Sequence, residues 1–266
     1  MHNTLLTNFI SNFNFPSETK LGVKVPKKTL TDNTDLTSAD KAIVKDVLKS
    51  IDWAYTLKPE TINIPTYNDG VREYLEIAIL LVRVKSLSKT KQLCKLLHSV
   101  IPYPTMLLVE FEESLALSTA DKRINQADSH KLTIENQFDS GWITPPTDDI
   151  QTKFLAHFSL MSCSTVSLYD LYVDFINRFN RLESAKFTGT YDENQRLHDS
   201  FEVTNILYQL TALENELGVL RNKIRQESLM NNRVELNMRS RKIKLEMSKL
   251  KNLLIENKLK CYDSGE

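Results

Sequence analysis

Acidic residues and one lysine flank the longest apolar stretch of the chain and have the residue types for metal-dependent chemistry. A restriction-type nuclease needs an acid on one strand and a Glu-x-Lys on the next, so that carboxylates hold a divalent ion beside a lysine. Asp69, Glu73 and Glu76 precede the stretch, and Lys85 follows it. The residues just before Lys85 supply no second carboxylate: Val82-Arg83-Val84. A divergent nuclease is therefore the weakest of the functions considered below.

Other signatures of catalysis or cofactor binding are missing from the sequence. There is no GxxxxGK[ST], GxGxxG, HExxH or GxSxG motif, and six glycines make a phosphate-cradling loop hard to build. The five histidines are scattered, and His98 and His157 are expected at the edge of the core or on the surface. Three cysteines without a CxxC predict neither a disulfide framework nor a zinc site. We predict no catalytic residue, metal or cofactor and favour a non-enzyme.

Composition and charge are those of an ordinary globular chain. Lys plus Arg and Asp plus Glu both number 34, so the net charge gives no argument for nucleic acid or a membrane. No run approaches the roughly 18 to 20 apolar residues of a membrane helix. The N-terminus has neither a positive region nor a small-residue cleavage site, so we expect no signal peptide and a cytoplasmic protein.

The apolar pattern predicts an α+β protein in four parts. Residues 1–20 form an N-terminal amphipathic arm, and residues 21–147 a mixed α/β sheet domain. A helical pair follows at 148–185, and a coiled coil or helical hairpin at 196–260. The predicted elements of the sheet domain are a helix capped by Thr37 and Asp40 and running to Ile51, strands at 61–64 and 74–84, a helix at 88–101, a hairpin of 105–111 with 115–119, and a strand at 131–138.

The C-terminal region carries the strongest periodic signal. Apolar residues recur every seven positions, as in a coiled coil that associates through one edge of each helix. This interaction seam consists of Val203, Leu210, Leu217, Ile224, Asn231 and Met238. After about residue 236 the apolar residues follow a different seven-residue series. Either the helix changes partner there, or the chain reverses into a helical hairpin. We favour the hairpin. A buried Asn231 would fix the register.

The same region is basic. Residues 219–260 contain 12 Lys or Arg and 4 Glu, a net charge of +8, which leaves −8 for the rest of the neutral chain. The cations either flank a solvated coiled coil or contact phosphates. The candidate nucleic-acid-binding residues are Arg233, Arg239, Arg241, Lys242, Lys244 and Lys249.

Several segments in a fixed order resemble one known family. The segments are Val25-Pro-Lys-Lys, Leu36-Thr37, Ile51-Asp-Trp-Ala-Tyr55, Leu57-Lys-Pro-Glu-Thr-Ile-Asn-Ile64, Tyr74-Leu-Glu-Ile-Ala-Ile79, Ile101-Pro-Tyr-Pro104, Trp142 and Asn231-Asn-Arg-Val-Glu-Leu-Asn237. Together they resemble the bacterial domain-of-unknown-function family 4391 across most of residues 21–260. Members of that family usually have Glu-Leu-Lys near the end of the central strand, where this chain has Arg83-Val84-Lys85.

The resemblance implies a role rather than a reaction. Members are typically encoded beside a helicase-like translocase and a DNA methyltransferase in restriction-like or phage-defence clusters. We therefore expect a non-catalytic accessory subunit of such a DNA-processing system that binds one of these partners. A homodimer is an additional assembly that the sequence allows. The alternatives are a DNA-binding subunit that uses the basic C-terminal helix, and the divergent metal-dependent nuclease.

Overall fold

The computed structural model describes residues 3–32, 36–126, 132–193 and 200–263, with side chains in the last range described for 205–254. The helices are α1 Thr4–Phe13, α2 Lys27–Thr31, α3 Ser38–Val47, α4 Pro59–Ile62, α5 Thr90–Val100, α6 Asp149–His157, α7 Leu168–Thr188, α8 Ser200–Gln226 and α9 Met230–Asp263. The strands are β1 Lys20–Lys24, β2 Leu48–Leu57, β3 Tyr67–Asn68, β4 Glu73–Tyr74, β5 Ile77–Val84, β6 Thr105–Phe111, β7 Ser114–Ile124 and β8 Leu132–Asp139. The chain divides into two compact units, Met1–Phe179 and Asn180–Glu266.

The first unit is built on a mixed sheet of six strands in the order β1-β2-β5-β6-β7-β8. Strands β5 and β6 are parallel and joined through α5, whereas the other neighbouring pairs are antiparallel. This sheet, together with the C-terminal helices, confirms the predicted fold class.

One face of the sheet packs against α3 and α5. Leu80, Val82 and Val84 of β5 are buried there, in one cluster with Val44 of α3 and Leu97 of α5. Burying a side chain of this size contributes about 1.5 to 3 kcal/mol. The helix periodicity of both segments thus places their apolar stripes on the sheet.

The opposite face carries a second apolar set that includes Ile79, Leu108 and Leu117, all buried. Because alternate residues of a strand point to opposite sides, this set must be covered by other helices. Phenylalanines of α1, α7 and the residue after α6 form that layer through ring contacts of 5.4 to 6.2 Å: Phe9, Phe13, Phe158 and Phe175. The predicted amphipathic helix near the N-terminus is confirmed and is part of this layer.

The predicted central strand is confirmed, since β5 lies inside the sheet with buried residues on both faces. The hairpin is confirmed as β6 and β7, with Glu112 in the left-handed region at its turn. The helix start is also confirmed, because Thr37 and Asp40 form a reciprocal capping box.

Two predictions in the first half of this unit are wrong. The helix ends at Val47, and the chain from Leu48 onward is strand β2, which pairs with β1 and β5. Segment 61–64 is not a strand, because Pro59 starts the short helix α4, which ends at the left-handed Asn63. Most residues of β2 are only partly buried, so the strand has no clean alternation. In segment 61–64 the β-branched residues outweighed Pro59, which is a helix-start signal.

A single hydroxyl joins the aromatic layer to the sheet where β6 and β7 meet. The Tyr172 hydroxyl accepts hydrogen bonds from the backbone N–H groups of Thr105 and Ala120, at 3.3 and 3.1 Å. It also lies 2.9 and 3.1 Å from the carbonyl oxygens of the same two residues, to one of which it donates. Tyr172 is fully buried, so one side chain satisfies backbone groups that water does not reach.

We predict that Tyr172→Phe lowers the free energy of unfolding by about 2 to 4 kcal/mol, because two buried N–H donors lose their acceptor. Denaturant unfolding of the full chain measures the change. The matched control is Tyr67→Phe, whose hydroxyl bonds the exposed Asp69 at 3.1 Å and which should cost less than about 0.5 kcal/mol. Equal losses in the two variants would contradict this role of Tyr172.

Candidate functional site

The charged residues nearest the carboxyl ends of β5 and β6 form an ion triad. Arg83 on β5 donates to Asp52 on β2 through Nη1 at 2.6 Å and to Glu110 on β6 through Nε at 3.0 Å. The three strands are neighbours in the sheet. Arg83 therefore holds two carboxylates that would otherwise repel each other, at the position where the family resemblance implies an acid.

The acids proposed for a nuclease site do not meet Lys85. Glu76 precedes β5 and Lys85 follows it, so the strand separates their Cα atoms by about 30 Å. Asp69 accepts hydrogen bonds from the backbone of Val71 and Arg72, and Glu73 accepts one from Asn68. Within the described ranges, no three His, Cys, Asp or Glu side chains are grouped so that they could hold a metal ion.

His98, Cys94 and Cys163 of the first unit are buried side chains. His98 is buried on α5, and its Nε2 lies 3.1 Å from the Ser118 hydroxyl. Burial, and then the charge of Lys122, lower the pKa of His98 well below its ordinary value. Burial is also the main cause that raises the pKa of the Cys94 and Cys163 thiols, which are free. The two thiols are therefore unlike reactive cysteines, whose pKa values are lowered.

Lys122 on β7 is buried, and its side chain reaches the loop that leads into β6. Its Nζ donates to the carbonyl oxygens of Ile101 and Tyr103, at 2.8 and 2.7 Å. Burial lowers its pKa to about 7. The side chain thus fixes the backbone between α5 and β6.

The second unit contains the helical hairpin that we favoured from the sequence. Helix α8 ends at Gln226 and α9 begins at Met230, so the chain reverses over three residues. The buried residues between the two helices are Leu207, Leu210, Leu217, Leu220, Ile243, Met247 and Leu254. Each helix thereby covers one apolar stripe of the other.

The residues of the interaction seam are not continuous in the structure. Leu210 and Leu217 lie in the core of the hairpin, and Ile224 is half-buried near its turn. Asn231 and Met238 are exposed on α9, so Asn231 is not the buried amide that we expected. The side chain of Val203 lies outside the described residues. The chain reversal after α8 explains why the seam is interrupted. Asn231 and Met238, which continue the seven-residue series on α9, lie on the side of α9 that faces away from α8.

A second apolar stripe runs along the solvent side of α9. Its members are Met230, Val234, Met238 and Leu245, with exposed fractions of 73%, 49%, 60% and 61%. At about 100° per residue, this outer stripe lies on the side of α9 opposite Ile243 and Met247. An apolar stripe of this length that remains open to water is a feature of association surfaces.

The six candidate nucleic-acid-binding residues are all exposed on α9. At about 100° per residue, Arg241 lies within the outer stripe, Lys244 and Arg233 follow one border of it, and Lys242 and Lys249 follow the other. Arg239 lies farther round the helix and pairs with Glu216 of α8. The cations therefore frame an apolar surface instead of forming one basic face.

The outer stripe was only partly visible in the sequence. The seven-residue series that contains Met238 continues to Leu245, and Val234 belongs to the companion apolar series of the same heptads, whereas Met230 lies outside both series. The signal was available, because α9 carries two apolar series half a turn apart. A helix with one partner needs only one such series.

A protein-family model matches most of the chain. The family model described as Domain of unknown function (DUF4391) matches residues 13–247. Neither the curated proteins nor the solved structures contain a match to this chain. In the part of the chain that the structure describes, no helix is long and apolar enough to cross a membrane.

We predict that His98 makes stability depend on pH. The unfolded chain binds a proton at His98 near pH 6.5, whereas the folded chain resists it. The free energy of unfolding should therefore fall as the pH drops from 6.5 to 5, with a limiting slope of about 1.4 kcal/mol per pH unit. The variant His98→Gln should lose this slope, as measured by urea unfolding at a series of pH values.

The matched control for that experiment is Leu97→Ala, which destabilises the same helix without removing a titrating group. Its slope between pH 5 and 6.5 should equal that of the unmodified protein. Lys122 does not interfere, because its lowered pKa affects stability above about pH 7, where stability rises with pH. An unchanged slope in His98→Gln would show that other groups cause the dependence.

Proposed function

The chain belongs to the DUF4391 family, and from this premise we propose that it is a non-catalytic accessory subunit of a bacterial anti-phage or restriction-like DNA-processing system. In this proposal it binds a helicase-like translocase or a DNA methyltransferase through the outer stripe of α9. The biological setting rests on the resemblance of the sequence, and the docking surface rests on the geometry of the second unit.

The observation that carries the proposal is the exposure of the outer stripe on a helix whose opposite face is already packed. Met230, Val234, Met238 and Leu245 gain nothing from the fold of the hairpin, because α8 covers the other side. Each would contribute roughly 1 to 2 kcal/mol if a partner removed most of its surface from water. This is the energetic basis of a docking helix.

The charges around the stripe favour one kind of partner surface. Cations border the stripe on both sides, so the complementary surface has an apolar centre and an acidic rim. A second copy of α9 would bring these cations against one another, which disfavours a symmetric pairing through this stripe. A different protein with acidic residues around an apolar groove fits better.

Two features of the first unit support a non-catalytic role. Arg83 occupies the space between Asp52 and Glu110, where a metal-dependent enzyme would need an ion. The buried histidine and cysteine side chains are packed and have pKa values shifted toward their neutral forms. A scaffold that presents a docking helix is consistent with both.

We predict that replacing Met238 and Leu245 with Asp abolishes binding to the partner, because two carboxylates would be desolvated in an apolar contact. The full chain is co-expressed with any helicase-like translocase or DNA methyltransferase that its neighbouring genes encode, and co-purification is measured. The control is Val219→Asp, which also places a carboxylate at an exposed apolar position, but on α8. Circular dichroism of each variant checks that the helices form.

Loss of co-purification in the double variant but not in the control supports the proposal. Failure of the unmodified chain to bind either neighbour contradicts it, as does binding that survives in the double variant. The mass in solution adds a further check. If the unmodified chain is a dimer that the double variant dissociates, the stripe binds a second copy and the proposed partner is wrong.

Direct DNA binding is the second candidate function, favoured by the absence of ion pairs at four of the cations. In the described part of the chain, Arg241, Lys242, Lys244 and Lys249 form no ion pair with a carboxylate. If they contact phosphates, binding must weaken with salt because counterions are released. Replacing Arg239, Arg241, Lys242 and Lys244 with Glu should then abolish a gel shift with duplex DNA, and an unchanged shift rules out this face.

A further inference from the structure

A pocket lined by lysines lies in the first unit, where α3 ends and β5 ends. Its volume is about 510 Å³, and its polar lining includes Lys27, Lys41, Lys45 and Lys85. The remaining lining residues are Thr31, Ala42 and Val44, so the pocket is bordered by four lysines, whose stems form much of its apolar wall, and by no acid. Four lysines grouped in this way attract an anion locally, even though the whole chain has no net charge.

Two of the ammonium groups are fixed by the fold. Lys27 Nζ donates to the carbonyl oxygen of Leu48, and Lys85 Nζ to that of Lys45, both at 2.6 Å. The backbone N–H of Lys85 also donates to Val47, at 2.8 Å. These carbonyls belong to the end of α3, so the lysines stabilise its C-terminus. Each ammonium has three N–H donors, and the remaining ones are available to a ligand.

The positive charges in the pocket oppose one another. Burial, followed by the charges of Lys85 and Lys24, lowers the pKa of Lys27. Lys41 and Lys45 are four residues apart on α3, where like charges destabilise a helix. Among the described residues, none of the four pocket lysines forms an ion pair with a carboxylate. The fold therefore maintains a repulsion that an anion would relieve.

We propose that this lysine pocket binds a phosphate group, supplied either by the end of a nucleic-acid strand or by a free phosphate anion. A phosphate accepts hydrogen bonds from several directions, and lysines bind it as flexible point charges. The volume also leaves space for part of a nucleotide beside the phosphate. This site is independent of the outer stripe of α9 and does not depend on the proposed docking function.

The test compares two charge-removing variants of the full chain. Lys41→Gln combined with Lys45→Gln removes two charges from the pocket and leaves the Lys27 and Lys85 hydrogen bonds in place. Lys28→Gln combined with Lys49→Gln removes two charges from exposed positions outside the pocket lining. Calorimetry measures binding of inorganic phosphate, and fluorescence anisotropy measures binding of a single-stranded oligonucleotide with and without a 5′-phosphate, all at constant ionic strength.

We expect saturable phosphate binding, with a dissociation constant that rises at least about tenfold in the pocket variant and changes less than about twofold in the control. Tighter binding of the 5′-phosphorylated strand, lost in the same variant, identifies a nucleic-acid end as the source. Phosphate binding without a difference between the strands identifies a free anion. Absence of phosphate binding, or equal weakening in both variants, overturns the proposal.

Discussion

The requirement that β5 be covered on both faces determines the architecture of the first unit. A strand with apolar residues at successive positions has no side that can face water. One face is covered by α3 and α5, and the other by an aromatic layer to which α1 and α7 contribute. The Tyr172 hydroxyl then ties that layer to β6 and β7 through backbone groups. Double burial leaves no place for charge in the middle of β5, and Arg83 lies near the end of that strand.

The sequence predicted the elements whose signal is local. The run of apolar residues in β5, the hairpin after it and the Thr37 capping box all depend on neighbouring positions, and all are confirmed. Strand β1 was missed because its five residues are exposed at the edge of the sheet and carry no buried periodicity.

The lysine pocket could not be predicted from the sequence for a different reason. Lys27, Lys45 and Lys85 are far apart in sequence and meet only because α3 and β5 end at the same place.

The charged groups at this end of the sheet are neutralised in two different ways. Asp52 and Glu110 share the guanidinium of Arg83, so each charge has a partner of opposite sign. Lys27 and Lys85 have only backbone carbonyls, which carry partial charges. The ammonium groups of Lys27 and Lys85 keep most of their charge available to a ligand, because a carbonyl oxygen carries only a partial charge. A ligand at Arg83 would instead have to break the ion pairs with Asp52 and Glu110. The same edge of the molecule therefore offers a closed site and an open one.

The second unit is informative because α9 is apolar on two opposite sides. A hairpin needs one stripe on each helix, and Leu236, Ile243 and Met247 already provide it for α9. The outer stripe adds exposed apolar surface, and with it a tendency to aggregate. The cations on both borders offset that tendency by keeping like helices apart. They also select a partner with an acidic rim, so the same charges that oppose self-association would give a heteromeric contact its specificity.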